Sequence, residues 1–299
     1  METGSIFIGG LSYSGKTYLR LMLLAHPNLV ITRRTKMWTR YYGRFGDLAS
    51  PENLEPCLEA MLQAKHIQAL QPDPERIRRE FAQGPQTYGR LFALFHTHHA
   101  QRVGKPRWGD QLGRVEAFAD PIFAAYPDAK MIHMVRDPRV RTAANISTSR
   151  YRRAKLGWET AAWRRSAQLA HRNGQQYPNH YLILHYETLL TYPEKTLRQV
   201  CAFLDETFTP AMLNVENVPY MHNRIDHNDS NRLREESITA REIALLQMSA
   251  DKEMKKLHYV PQTPQLSAED YLLLPVVDWP LSLAGQLFWW MREGKQSQS

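Results

Sequence analysis

Residues 6–17 read Ile6-Phe7-Ile8-Gly9-Gly10-Leu11-Ser12-Tyr13-Ser14-Gly15-Lys16-Thr17 and run on into Tyr18-Leu19-Arg20-Leu21-Met22-Leu23-Leu24. A short apolar run stops at two glycines and restarts as an apolar helical segment, which predicts a buried strand, a tight loop and a helix. From Gly10 to Thr17 the spacing is G-x-x-x-x-G-K-[S/T], in the strand-loop-helix setting that the pattern requires. The glycines let the backbone turn close to a ligand. The first-turn N–H groups of the helix have no intrahelical acceptor, and the macrodipole favours an anion there. Lys16 adds a full positive charge. The segment predicts a phosphate loop, but the anion it holds is not specified by the loop alone.

Further apolar runs predict parallel strands at Met131–Val135 and Tyr181–Leu184, and a weaker one at Leu29–Ile31. Each gives way to a helical pattern, so the expected fold is α/β, a three-layer α/β/α sandwich around a central parallel sheet. Leu197, Val200, Cys201 and Leu204 form one stripe behind Pro193, predicting a helix over 193–205. Residues 52–65, 74–83 and 87–102 predict a helical insertion, within 33–105, that roofs an acceptor cleft. With no low-complexity linker, residues 1–299 are expected to form one domain with a C-terminal extension from about residue 260.

With 299 residues, 43% of them hydrophobic and 23% charged, the chain is long and apolar enough for a large core. Its net charge of +8 favours anionic partners. Two isolated cysteines, Cys57 and Cys201, form no disulfide framework, and the N-terminal residues lack the basic start of a secretion signal. A cytoplasmic location is expected. No run reaches the roughly 18 uninterrupted apolar residues of a spanning helix, so no membrane span is expected. Residues 281–291 are expected to pack on the core or on a second copy rather than on a membrane.

A kinase-type reading needs a magnesium-binding acid at the end of another buried strand. Asp137, in Arg136-Asp137-Pro138, has the local explanation of a helix N-cap with proline at the first helical position. His185-Tyr186-Glu187 also offers no evident metal site.

Four segments, in order, resemble the sulfotransferases that use 3′-phosphoadenosine 5′-phosphosulfate, particularly their bacterial branch. They are the loop with Ala25-His26-Pro27, Trp108-Gly109-Asp110, residues 128–139 (D-A-K-M-I-H-M-V-R-D-P-R), and residues 184–204. The resemblance implies a nucleotide-kinase-like P-loop fold, that donor as co-substrate, and no metal. It implies that Ser12, Tyr13, Ser14, Gly15, Lys16, Thr17 and Tyr18 surround the 5′-phosphosulfate. Arg136 falls where the family binds the 3′-phosphate, with Asn145 or Ser147 standing in for a serine that Ala144 replaces. Tyr186 falls near the adenine, and Arg232 in a segment that closes over the donor. Tyr13 stands where relatives carry a base, and Gln111 where many carry lysine.

Lys16 is the expected cation at the leaving oxygen and Asp110 the expected general base for a hydroxyl or amine acceptor. His96 and His99 share a helical face, read as a polar surface rather than a metal site, while His133 reads as a core histidine. The acid-free stretch 139–155, with Arg139, Arg141, Arg150, Arg152, Arg153 and Lys155, reads either as an electropositive lip or as a solvated helix face. Residues 32–42 mix bases with aromatics, suiting a carbohydrate, phenol or lipid headgroup, or nucleic acid, without deciding among them. The alternatives are a P-loop kinase using Mg-ATP and a nucleic-acid-binding module; the latter has charge but no recognisable binding motif, so no nucleic acid is expected.

Overall fold

The computed structural model describes residues 4–146, 150–214 and 238–297. In chain order it contains β1 Ile6–Gly9, α1 Lys16–Leu24, β2 Leu29–Arg33, α2 Pro51–Leu62, α3 Lys65–Gln68, α4 Pro74–Ala82 and α5 Tyr88–Arg102. Next come β3 Arg107–Gln111, α6 Ala119–Ala125, β4 Lys130–Val135, α7 Pro138–Ile146 and α8 Arg152–Gln176. The remainder is β5 Tyr181–His185, α9 Tyr186–Thr191, α10 Pro193–Phe203, α11 Ala240–Lys256, α12 Ala268–Leu273 and α13 Trp279–Ser297.

The chain falls into two compact units. One comprises Met1–Met134, Asn173–Leu184 and Thr191–Val215; the other comprises Val135–Arg172, His185–Leu190 and Glu216–Ser299. The chain passes between them within β4, α8, β5 and α9, with no linker at those crossings.

The first unit is built on an all-parallel sheet in the order β2-β3-β1-β4-β5, flanked by helices. Register pairs Phe7 with Asp110 and Met131, and Ile31 with Gly109. Central strands of such a sheet are covered on both faces and read as continuous apolar runs. β1 and β4 obey this, which is why they were legible. Phe7 faces a large aromatic core with Trp38, Phe92 and Trp108, its ring centroid 5.9 Å from that of Trp108. Ile6 and Ile8 alternate to the opposite side, and α1 packs on the sheet. The helical insertion is present, but Met61, Phe81, Phe92 and Phe95 join the main core. It is part of the unit's interior rather than simply a roof.

β3 (Arg107-Trp108-Gly109-Asp110-Gln111) was not expected as a strand, since two charges, Arg107 and Asp110, among five residues contradict a buried central position. Each charge has a partner from elsewhere in the unit. Gly109 is required: a Cβ there would lie 2.7 Å from the Ile6 carbonyl oxygen.

In the second unit, α7, α8, α9 and α11 build the described core, and α12 continues through a wide turn, Leu274–Asp278, into α13. The stretch Ala268–Met291 is helical, and long and apolar enough to cross a membrane by length and composition, although within it only Leu274, Asp278, Ser282, Gly285 and Trp289 are buried. Of residues 281–291, expected to pack on the core or on a second copy, Ser282, Gly285 and Trp289 are buried while Leu281, Leu287, Phe288 and Met291 are exposed.

Candidate active site

β1 ends at Gly9, and the following loop doubles back on one carbonyl. Leu11 O accepts from the Ser14 amide at 3.3 Å, from Ser14 Oγ at 2.7 Å, and from Lys16 Nζ. Gly10 takes φ +110°, where a Cβ would meet the Met134 carbonyl of β4 at 2.3 Å. Gly15 takes φ +87° and N-caps α1 without a side-chain cap. Glycine tolerates both conformations without the usual side-chain clash. Tyr13 also takes a left-handed conformation, φ +66°, at a cost on the order of 1 kcal/mol that the surrounding loop must offset. Ser14 and Lys16 are buried, Tyr18 lies at the edge of the core, Thr17 is half-buried, and Ser12 and Tyr13 are exposed. The loop thus presents the N-terminus of α1 with a lysine at its first position.

Glu116, which the sequence reading did not single out, supports this loop from beneath. Its buried Oε2 accepts the Gly10 amide at 2.9 Å, fixing the first turn. His133 on β4 lies 3.7 Å from Glu116 and 2.6 Å from Tyr181 OH, fully buried as expected of a core histidine. Burial pushes the His133 pKa down, while Glu116 opposes that shift. Only tertiary packing brings these residues together. A lone glutamate in V-E-A-F gives no local signal.

In the second unit Arg136 follows β4 directly and is buried. Its guanidinium lies 4.7 Å from the centre of the Tyr186 ring, and its carbonyl accepts from Trp163 Nε1 at 2.9 Å. Asp137 is the N-cap expected from the sequence: its carboxylate accepts the Arg139 amide at 2.9 Å and pairs with the Arg139 guanidinium at 2.5 Å. The Asp137 amide in turn donates to Glu187 at 2.9 Å. Asn145 is half-buried on α7, while Ser147 and Arg232 lie outside the described residues.

Asp110 sits on β3 at 0% exposure. Thr32 Oγ1 donates to it at 2.8 Å, Thr35 Oγ1 donates to its other oxygen, and His96 Nε2 lies 3.7 Å away. Burial pushes the Asp110 pKa up to about 7, partly opposed by the two hydroxyls and by Arg20. His96 is not on a polar surface: it is buried against Trp108 with ring centroids 4.6 Å apart, and burial lowers its pKa to about 3. His98 is buried too, 2.8 Å from Glu80.

The raised Asp110 pKa makes a pH prediction. The native state holds a proton that the unfolded chain releases above about pH 4. Asp110 therefore lowers stability progressively as pH rises from about 4 to about 7, and its full cost remains above that. Asp110→Asn should match the parent near pH 4 and be more stable at pH 8, by on the order of 4 kcal/mol for a pKa raised from 3.8 to about 7. Urea unfolding at both pH values measures this. An equal stability difference at both would refute it.

A sequence model of the sulfotransferase family matches residues 5–210. The chain belongs to the sulfotransferase family. It is 25% identical over 228 residues to the protein-tyrosine sulfotransferase of Drosophila melanogaster, covering 72% of this chain and 40% of that protein. Against protein-tyrosine sulfotransferase 1 of Danio rerio it is 25% identical over 230 residues, covering 71% and 56%. The chain thus spans about half the length of these relatives. The sulfotransferase domain from the Synechococcus PCC 7002 olefin synthase shares the fold, with a TM-score of 0.54 and 22% identity over 86% of this chain and 94% of that one.

In this member of the sulfotransferase family, four of the six bases of the stretch 139–155 are paired with acids. Arg139 pairs with Asp137, Arg141 with Glu159 at 2.6 Å, Arg152 with Glu242 at 2.5 Å, and Arg153 with Asp278. All four acids lie outside the stretch. They become visible only when α8, α11 and the turn before α13 are placed together in the second unit. Arg150 remains exposed.

Proposed function

We propose that this protein transfers a sulfo group from 3′-phosphoadenosine 5′-phosphosulfate to a hydroxyl or amine acceptor, by in-line displacement at sulfur. The observation that carries the reading is the loop that delivers an uncapped α1 N-terminus and Lys16 to one place. Its chemistry fits the donor: backbone N–H groups, Ser14, Thr17 and Lys16 are ligands for an anionic 5′-phosphosulfate. The strand-end Arg136 suits the separate 3′-phosphate, and Tyr186 beside it offers an aromatic face for a base. The donor supplies the sulfo group; the protein supplies position and fixed positive charge.

We assign the leaving-oxygen charge to Lys16 and the proton-acceptor role to Asp110, whose pKa near 7 suits a base at neutral pH. In this structure both Asp110 oxygens are engaged by threonine hydroxyls, so an acceptor hydroxyl would have to replace the Thr35 contact. Loss of turnover in Asp110→Asn with donor binding retained would support that role. The acceptor falls among carbohydrates, phenols and lipids. The tyrosine sulfotransferase names of the curated relatives favour a phenol.

The Mg-ATP reading is disfavoured by Asp137, whose carboxylate caps α7 and holds Arg139 instead of standing ready for a cation. Adenosine 3′,5′-bisphosphate should raise the melting temperature by several degrees without added metal and with chelator present, since it binds only the folded state. Larger, magnesium-dependent stabilisation by ATP would replace this proposal with the kinase reading.

A further inference from the structure

The C-terminal helix is inside out. Its buried positions are Leu274, Asp278, Ser282, Gly285 and Trp289, recurring every three or four residues and including polar and small side chains. Asp278 is held by Arg153 and, at 3.3 Å, by Arg241. Gly285 and Gly157 bring α13 and α8 into backbone contact. A Cβ on Gly285 would lie 1.9 Å from Ala154 O, and one on Gly157 would lie 1.9 Å from Ser282 O. Glycine at both points permits this approach, and the ion pairs fix the helix along α8.

The outward face is the apolar one. Leu272, Val276, Trp279, Leu283, Leu287 and Trp290 fall at i, i+4, i+7, i+11, i+15 and i+18, one stripe along the helix. All six are exposed, Leu272 and Val276 by 72% and 74%. The neighbouring exposed positions, Pro280, Leu281, Ala284, Phe288 and Met291, widen the stripe instead of edging it with charge. From Trp279 to Met291 there is no charged residue, and the sequence then turns to Arg292, Glu293 and Lys295.

These features select one occupant. A seam between two copies is narrow and rimmed by charged pairs. This face is broad, carries no charge at its exposed positions from Tyr271 to Met291, and exposes Trp279 and Trp290, the residue type favoured at a membrane–water boundary. Arg150, exposed near the start of α8, and the chain's net charge of +8 complement an acidic surface. The buried Asp278 pairs and the contact with α8 hold the helix against its unit, so it lies along a bilayer rather than through it. We propose that the outward face of α12 and α13 docks this protein on an anionic phospholipid bilayer, lying in the headgroup region parallel to the membrane plane.

The test is cosedimentation of the full chain with vesicles of phosphatidylcholine and phosphatidylserine, beside the double substitution Leu283→Glu and Leu287→Glu. Both positions are exposed, so the variant's unfolding temperature should match the parent's. Trp290→Glu serves if it does not. The parent should pellet with the vesicles, less at high salt and less with phosphatidylcholine alone. The variant should lose vesicle binding at least tenfold while its stabilisation by adenosine 3′,5′-bisphosphate is unchanged. Absence of vesicle binding by the parent, or binding indifferent to the substitutions, overturns the proposal. Dimers in sedimentation velocity that the same substitutions dissolve, without vesicle binding, would instead make this face a contact between copies.

Discussion

Replacing Lys16 with methionine should lower kcat for sulfo transfer by about 10²–10³, while leaving donor affinity within a few-fold of the parent. This is the range observed when one preorganised donor to a developing negative charge is removed. In this structure Lys16 is buried at the start of α1 and donates to Leu11 O inside the loop, so its ammonium is already held where the helix N-terminus points. Charge on the leaving oxygen grows only in the transition state, and only interactions that strengthen there raise the rate. Arg136→Met should behave oppositely, because the 3′-phosphate keeps its charge throughout the reaction. Its loss should weaken donor binding about tenfold to a hundredfold, the equivalent of roughly 1.5–3 kcal/mol for a charge-assisted hydrogen-bond set. Adenosine 5′-phosphosulfate, which lacks the 3′-phosphate, should bind parent and Arg136→Met alike. Single-turnover rates at saturating donor, with isothermal titration of both nucleotides, separate the two roles. A Lys16→Met enzyme with parental kcat and weakened binding would reduce Lys16 to a ligand. Equal weakening toward both nucleotides would remove Arg136 from the 3′-phosphate.

The loop and the strands around it were legible because their signals are local. A buried parallel strand is a run of apolar residues, and a phosphate loop is glycines and a lysine at fixed offsets, so β1, β4, β5 and the start of α1 could be read from residues within one turn of each other. Asp137 was legible for the same reason, since a cap is decided by the next two residues. The illegible features depend on partners far along the chain. Glu116 matters because Gly10 lies above it, 106 positions away. The six basic residues of 139–155 looked like a free cationic surface because Asp278, Glu242 and Glu159 all lie beyond the stretch. The histidines of F-H-T-H-H looked polar because the helix-face pattern cannot show Trp108 stacking on His96 or Glu80 meeting His98. The C-terminal helix was misjudged differently: its composition was right for burial, and only the structure shows that the apolar face is the outer one.

β3 is where charge and burial conflict most, and it offers the largest stability effect. Arg107 is 3% exposed. Its Nε donates to Gly4 O at 2.6 Å, and its Nη1 donates to Leu204 O and reaches Glu206 Oε1 at 3.1 Å. Glu206 is itself buried in this unit and accepts from Asn28 Nδ2 at 2.9 Å. The guanidinium thus ties the start of β3 to the C-terminal end of α10 and satisfies two carbonyls in doing so. Methionine fills much of the same volume and removes every donor. Arg107→Met strands a buried carboxylate and two carbonyl oxygens, and breaking a buried pair from one side costs about 3–5 kcal/mol. Replacing both partners should cost less than the sum of the single changes, because the carboxylate left uncompensated by Arg107→Met is then gone. Urea unfolding of the parent, Arg107→Met, Glu206→Gln and the double variant closes the cycle. We expect Arg107→Met to be the least stable of the four, with Glu206→Gln recovering part of the loss when added to it. Strict additivity, or a cost below about 1 kcal/mol for Arg107→Met, would show that β3 tolerates its charge through solvent rather than through these partners.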